Sequence, residues 1–331
     1  MQRLIVTGPC QASFDEVPTP DCDSNGLLVR ATTSAVSVGT EIRVFRALPV
    51  DDEGQFLHEQ IPFELPTENG YSLLGEIVEV GSEIDGFAVG ERIFTGAPQR
   101  QYAAIPVTQA VKIPGRVSDD EAAFLNILEV AHKAIRQANP PMGGNIAIVG
   151  QGVVGLSALA YLRAWGCRIA VIDPDESRLA ISREMGADLA IATSDEASIK
   201  QVTAFFDGDG ADVVIEAASK WAAIETAMHL ARTDGTVLVV SRNTENPQFN
   251  PVGHPFLGKR LNLQTTYGHQ PDGQRWDRAR SMALTVDLLA RRRLNIQPMI
   301  THRFRWNELP DVYRRFHEAE SGLVGAVIDW T

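Results

Sequence analysis

Residues 145–173, NIAIVGQGVVGLSALAYLRAWGCRIAVID, constrain the fold more than any other stretch of this chain. Ile146 to Val149 is a short apolar run of the kind that fills a strand buried on both faces of a parallel sheet. Gly150-Gln-Gly152-Val-Val-Gly155 follows as a GxGxxG turn, then a helical segment from Leu156 to Trp165. A second apolar run, Arg168 to Ile172, stops on Asp173. Strand, glycine turn, helix, strand and acid in this order form a dinucleotide-binding fingerprint. Gly150 allows the tight turn, Gly152 lets the backbone approach a pyrophosphate, and Gly155 lets the helix pack closely on the strand. The helix N-terminus offers free N–H groups and a partial positive charge to the phosphates. Asp173 is expected to take the ribose hydroxyls and to repel a 2′-phosphate, so the expected cofactor is NAD, with NADP disfavoured. The expected cofactor-binding set is Gly150, Gly152, Val153, Val154, Gly155, Asp173, Arg178, Ala217 and Ser241.

A chain of 331 residues suits about two domains with large cores. Its net charge of −12 argues against nonspecific binding to nucleic acid or anionic membrane. No run is long or apolar enough to span a bilayer, and the N-terminal apolar patch soon turns polar, unlike a signal peptide. Cys10, Cys22 and Cys167 are too few for a disulfide framework or a four-thiolate zinc site. The expectation is a cytoplasmic protein that acts on a small molecule, without nucleic-acid or membrane partners.

The first 115 or so residues read as β-rich, with short apolar runs separated by Gly, Pro and Asp clusters. Helix is expected from Asp119, where Ser118 can cap and Glu121 sits at the third helical position, with Ala122 to Ala134 strongly helical. Beyond Asp173 helices are expected at Arg178–Met185, Ser198–Phe206 and Ala222–Ala231. Strands are expected at Asp188–Ile191, Asp212–Ala218, Gly235–Val240 and Leu261–Tyr267. This alternation predicts an α/β fold with a doubly wound parallel sheet, its ligand at the carboxyl ends of the strands. A long helix, Arg278 to Arg292, and a final segment, Thr301 to Trp330, complete the chain. The Arg291-Arg292-Arg293 run reads as a solvated helix end complementing the dipole.

Several further stretches carry a family resemblance: Ser37-Val38-Gly39-Thr40-Glu41, Gly70 to Gly81 (GYSLLGEIVEVG), Val89-Gly90-Glu91-Arg92-Ile93, and Gly186-Ala187-Asp188. With the glycine loop, they resemble the medium-chain dehydrogenase/reductase superfamily of zinc alcohol dehydrogenase type over essentially the whole chain. The resemblance implies a GroES-like catalytic domain (1–124 and 268–331), discontinuous in sequence, around a Rossmann dinucleotide-binding domain (125–267). It also implies a homodimer, paired through the edge strand at Leu261–Tyr267. Ile300-Thr301-His302 and Val327-Ile328-Asp329-Trp330 loosely resemble bacteriochlorophyllide a dehydrogenase-like proteins, which implies oxidation of a secondary alcohol in a specialised biosynthetic pathway.

The departures from the family bear on the chemistry. Zinc-using members carry CGTD where this chain has VGTE, and GHExxG where it has GYSLLG, so the ligand positions fall on Val38, Tyr71 and, near the helix before the glycine loop, Asn126. Valine cannot bind a metal, and Tyr and Asn are poor zinc ligands. The loop from Phe94 to Lys112, where structural zinc would sit, has no cysteine. Both zincs are expected to be absent. Hydride transfer at a carbonyl then needs another group to supply the proton. Thr40 aligns with the family's hydroxyl relay, and Tyr71 is expected to be the acid/base or oxyanion donor. Glu41 is expected to be a structural acceptor. His132, three residues beyond Glu129, is expected near the nicotinamide as a proton carrier. His254, His269, Arg43, Arg46 and Tyr102 are further candidates for substrate contacts.

These readings converge on a zinc-independent, NAD(H)-dependent oxidoreductase acting on a secondary alcohol/ketone pair. Two alternatives stay open: reduction of an activated C=C or C=N bond, and a non-catalytic nicotinamide-binding sensor.

Overall fold

The computed structural model describes residues 1–47, 64–241, 247–266 and 276–331. Strand β1 (Gln2–Gly8) pairs antiparallel with β2 (Gln11–Glu16). Strand β3 (Gly26–Ala35) leads through Ser37 into the helix Val38–Phe45. Then come β4 (Thr67–Glu68), β5 (Leu73–Val80), β6 (Arg92–Thr95), β7 (Tyr102–Pro106) and β8 (Val111–Lys112). Leu27, Val29, Leu73, Ile77 and Ile93, all fully buried, build the core under these strands.

The parallel sheet uses β9 (Asn145–Val149), β10 (Arg168–Ile172), β11 (Leu189–Ile191), β12 (Ala211–Glu216), β13 (Ala231–Val239) and β14 (Asn262–Thr265). Their spatial order is β11-β10-β9-β12-β13-β14, every neighbouring pair parallel. Ile146 of β9 stands beside Ile169 of β10 on one side and Val213 of β12 on the other. The strand order reverses there, which opens a crevice at the carboxyl ends of β9 and β12. The α/β expectation holds, with a parallel sheet and a separate β-rich part.

The C-terminal segment returns to the first sheet. Strand β15 (Ile300–Arg305) pairs with β16 (Gly325–Asp329), and β16 runs antiparallel to β3, with Val327 opposite Ala35. Tyr313, on the helix Leu309–His317, is fully buried in the same core as Leu27.

Several element boundaries differ from the sequence reading for local reasons. The helix expected through Ala122 to Ala134 is two helices, Asp119–Ala123 and Leu125–Ala138. They meet at Phe124, whose backbone (φ −89°, ψ 4°) leaves the helical region while its side chain is fully buried. Ser118 and Glu121 form the expected capping box. Helices start earlier than read wherever a cap precedes the apolar face. Asp175 accepts from Ser177 N at 2.9 Å and starts Glu176–Glu184; Asp195 accepts from Ser198 N at 2.8 Å and starts Glu196–Phe205. The long helix ends at Ala290, and Arg292 pairs with Glu121 at 2.9 Å instead of pointing wholly to water. Among the described residues no helix is long and apolar enough to cross a membrane.

Candidate functional site

Beside β3, the Ser37 turn and the first turn of the helix Val38–Phe45 are tied together by Glu41. Ser37 N donates to Glu41 Oε1 at 2.7 Å, Gln99 Nε2 donates to Oε2 at 3.2 Å, and the Tyr313 hydroxyl donates to the same oxygen. The Glu41 carbonyl accepts from Asn69 Nδ2 at 2.9 Å. Glu41 is therefore the structural acceptor that was expected. Its complete burial raises its pKa to about 7, partly offset by those three donors to the carboxylate.

Tyr71 lies directly above this turn. Its hydroxyl shares a hydrogen bond with Ser37 Oγ, and its carbonyl accepts from Asn126 Nδ2. Asn126 Oδ1 in turn accepts from Arg278 Nη2. The three family zinc positions thus hold a valine, a phenol bonded to serine, and an amide bonded to a guanidinium.

The glycine loop folds as its spacing implies. Gly150 has φ +95°, and a Cβ there would press on Ala218 N at 2.8 Å. A Cβ on Gly155 would lie 2.0 Å from the Gly150 carbonyl oxygen, so only glycine lets the helix Val153–Ala164 sit this close to the turn. Gly152 differs from both. A Cβ on it meets nothing within 4 Å, leaving an open approach at the helix N-terminus. Asp173 is almost fully buried; its Oδ2 accepts from Gln151 N at 2.7 Å and its Oδ1 from Asp175 N at 2.9 Å. Arg178 Nη1 lies 3.6 Å from Asp173 Oδ2.

A cavity of about 520 Å³ separates the two walls. Ser37, Thr40, Arg43 and Tyr71 line it on the side of the β-rich part; Gly152, Val153, Val154, Arg178, Ala217 and Ser241 line it from the parallel sheet. The structure thus brings Thr40 and Tyr71 to one space with six of the nine expected cofactor residues. Gly150, Gly155 and Asp173 stand behind that wall and shape it.

His132 is not brought there. It is buried against the helix Arg278–Ala290, sharing a hydrogen bond through Nδ1 with Ser281 Oγ and packing on Tyr161 and Trp276. Burial, with Arg136 nearby, pulls its pKa down to about 4, so it is neutral at pH 7. Glu129 and Lys133 line the cavity instead. The nicotinamide-side expectation for His132 is corrected on this geometry: the sixty degrees between Glu129 and His132 spans the boundary between cavity and helix packing.

Arg46 donates to His317 Nδ1 at 2.8 Å, Tyr102 pairs with Arg30 in the sheet, and His254 packs on Gly258; none of them lines the cavity. His269 lies outside the described residues. Sequence reasoning missed Ser37 and Glu216. The Glu216 carboxylate, at the end of β12, accepts from Ala218 N at 2.7 Å, Ser219 N at 2.9 Å and the Ser241 hydroxyl, and so holds the loop that carries Ala217. An acid ending a buried apolar strand, DVVIE, was the available signal.

A family model for zinc-binding dehydrogenases matches residues 153–284. The L-threonine 3-dehydrogenase of Paraburkholderia phytofirmans is 26% identical over 351 aligned positions, covering 96% of this chain and 96% of that protein. Among solved structures, a Sinorhizobium meliloti protein described as a zinc-binding dehydrogenase, bound to NADP, superposes with a TM-score of 0.82 at 21% identity, covering 99% of both chains. An Escherichia coli protein described as a short chain alcohol dehydrogenase, complexed with NADH, gives a TM-score of 0.81 at 19% identity, covering 100% of this chain and 99% of that one.

Proposed function

We propose, from the zinc-binding dehydrogenase match over residues 153–284 and the similarity along nearly the whole chain to an L-threonine 3-dehydrogenase, that the chain is a medium-chain dehydrogenase/reductase: a zinc-independent, NAD(H)-dependent oxidoreductase that interconverts a secondary alcohol and a ketone. The observation that carries this reading is the Tyr71 phenol, bonded to Ser37 and facing the same cavity as the open glycine of the helix Val153–Ala164. A bound nicotinamide supplies or accepts the hydride. Gly152, Val153 and Val154 would hold its pyrophosphate by backbone N–H groups, and Asp173 with Arg178 would set the preference for NAD. Tyr71 Oη gives a proton to the developing alkoxide oxygen or takes one back, with Ser37 Oγ and Thr40 as the relay.

Zinc does not fit this donor set. Val38 has no donor atom, the Tyr71 hydroxyl is bonded to Ser37, and Asn126 presents its oxygen to a cation, Arg278. Among the described residues no three His, Cys, Asp or Glu side chains form a group that could hold a metal ion. The reading also takes 1–124 with 268–331 as the catalytic domain and 125–267 as the dinucleotide domain. It places the protein in the cytoplasm, in a specialised biosynthetic pathway, as a homodimer paired through the edge strand β14. A single-chain mass by light scattering would remove the dimer.

The test follows deuterium from C4 of labelled NADH into a panel of methyl ketones, using protein dialysed against a strong zinc chelator. Label on the carbinol carbon, undiminished by chelation, is the expected result. Activity recovered only on adding zinc would overturn the metal-free mechanism. With an α,β-unsaturated ketone added to the panel, label at the β carbon would favour the alkene reductase, and no label in any product the sensor.

A further inference from the structure

A second chamber of about 420 Å³ shares Tyr71, Glu129 and Val130 with the main cavity and ends on Arg278. Arg278 is half-buried, and its polar partner among the described residues is Asn126, reached through Nη2 at 2.5 Å. Among those residues no carboxylate lies in ion-pair distance of it. Asn126 is itself held by the Tyr71 carbonyl, so the cation is fixed to the residue that the proposed function makes the acid/base. The two are close. A Cβ on Gly96 would lie 3.8 Å from Arg278 Nη2 and 3.8 Å from the Tyr71 carbonyl oxygen. Nη2 spends one of its two N–H groups on Asn126, and its second, with Nε or Nη1, makes the planar two-donor edge that suits a carboxylate.

We propose that Arg278 anchors a carboxylate carried by the substrate, with the reacting carbon at Tyr71 and the carboxylate in the second chamber. This rests on the oxidoreductase reading and names its substrate class as a hydroxy acid/oxo acid pair. A monoanion matches the single cation. Glu129, buried, lines the same chamber.

The experiment is a calorimetric titration of levulinate, and of the oxo acids one carbon shorter and longer, each against its methyl ester. The titrations use the full chain alone and saturated with NADH. Wild type is expected to prefer at least one acid over its ester. Arg278→Gln is expected to weaken that acid by about tenfold or more while leaving the ester and NADH affinities unchanged, and Arg278→Lys to recover part of the loss. No preference for any acid in wild type, or equal weakening of acid and ester in the Gln variant, overturns the proposal. Because binding alone is read, acid selectivity without turnover of any ketone would count against the oxidoreductase reading and leave the anion site standing.

Discussion

Ser37 and Tyr71 share a hydrogen bond between their hydroxyls across 34 positions of sequence, and the Ser37 backbone N–H donates to the buried Glu41 carboxylate at 2.7 Å. The phenol is therefore oriented by a turn that is itself held from below.

Replacing Tyr71 by Phe keeps the ring and removes the hydroxyl. The expected outcome is a fall in kcat of about 100-fold or more, with NADH affinity by fluorescence titration unchanged. Ser37→Ala should cost less and displace the pH profile, because it removes a partner of the phenol. A Phe variant with wild-type kcat would leave Tyr71 as a space-filling residue.

Glu41 makes stability depend on pH. Its pKa is raised from 4.5 to about 7 in the folded chain, so the native state binds the proton more tightly than the unfolded state. Its contribution is complete below pH 4.5 and is lost as pH rises through 7, on the order of 3 kcal/mol across that window. Glu41→Gln should flatten this decline, read as the difference in urea unfolding free energy between pH 5 and pH 8. Equal slopes in the two proteins would refute it.

The two glycines Gly152 and Gly155 should separate folding from binding. Gly155→Ala places a methyl 2.0 Å from the Gly150 oxygen and should lower stability by about 2 kcal/mol or more. Gly152→Ala meets no atom within 4 Å and should leave the melting temperature nearly unchanged while weakening NADH binding about tenfold or more. Thermal melts and NADH titrations of both variants decide it.

Cofactor choice should follow Asp173. Asp173→Ser removes the carboxylate 3.6 Å from Arg178 Nη1, so that this end of the guanidinium can meet a 2′-phosphate while Nε keeps Asp175 at 3.7 Å. The ratio of kcat/KM for NADPH to that for NADH is expected to rise about tenfold or more. An unchanged ratio would mean that Asp173 serves only to hold the Gln151 and Asp175 amides.

His132, read at first as a proton carrier, should behave as a packing residue. Its pKa is depressed from 6.5 to about 4, so its contribution to stability is present above pH 6.5 and lost as pH falls through 4. His132→Gln should lower the melting temperature while changing kcat by less than tenfold, below the range of an acid–base group. A 100-fold loss of kcat with wild-type stability would reinstate it.

What was legible in the residues was what depends on near neighbours. The glycine loop could be read because Gly150, Gly152 and Gly155 act within one turn, and the Ser118 cap because Glu121 is three residues away. Asp175 and Asp195 were equally local and were passed over in favour of the apolar pattern that begins after them. Tyr71 and Thr40 were placed by motif position, and they meet at one cavity. Ser37 was not singled out, because nothing near it in the chain announces the phenol.

The sequence by itself determined the α/β class, the parallel sheet and the glycine turn, since strand periodicity, glycine sterics and helix caps are properties of short stretches. Tertiary structure alone decided that Tyr71 bonds to Ser37, that Tyr313 bonds to Glu41 across 272 positions, and that Arg278 bonds to Asn126 across 152. It also turned His132 away from the cavity and toward Ser281. Those pairings depend on how two sheets and a returning C-terminal segment pack, and a hydroxyl or guanidinium carries no record in its own stretch of which distant loop will be within 3 Å of it.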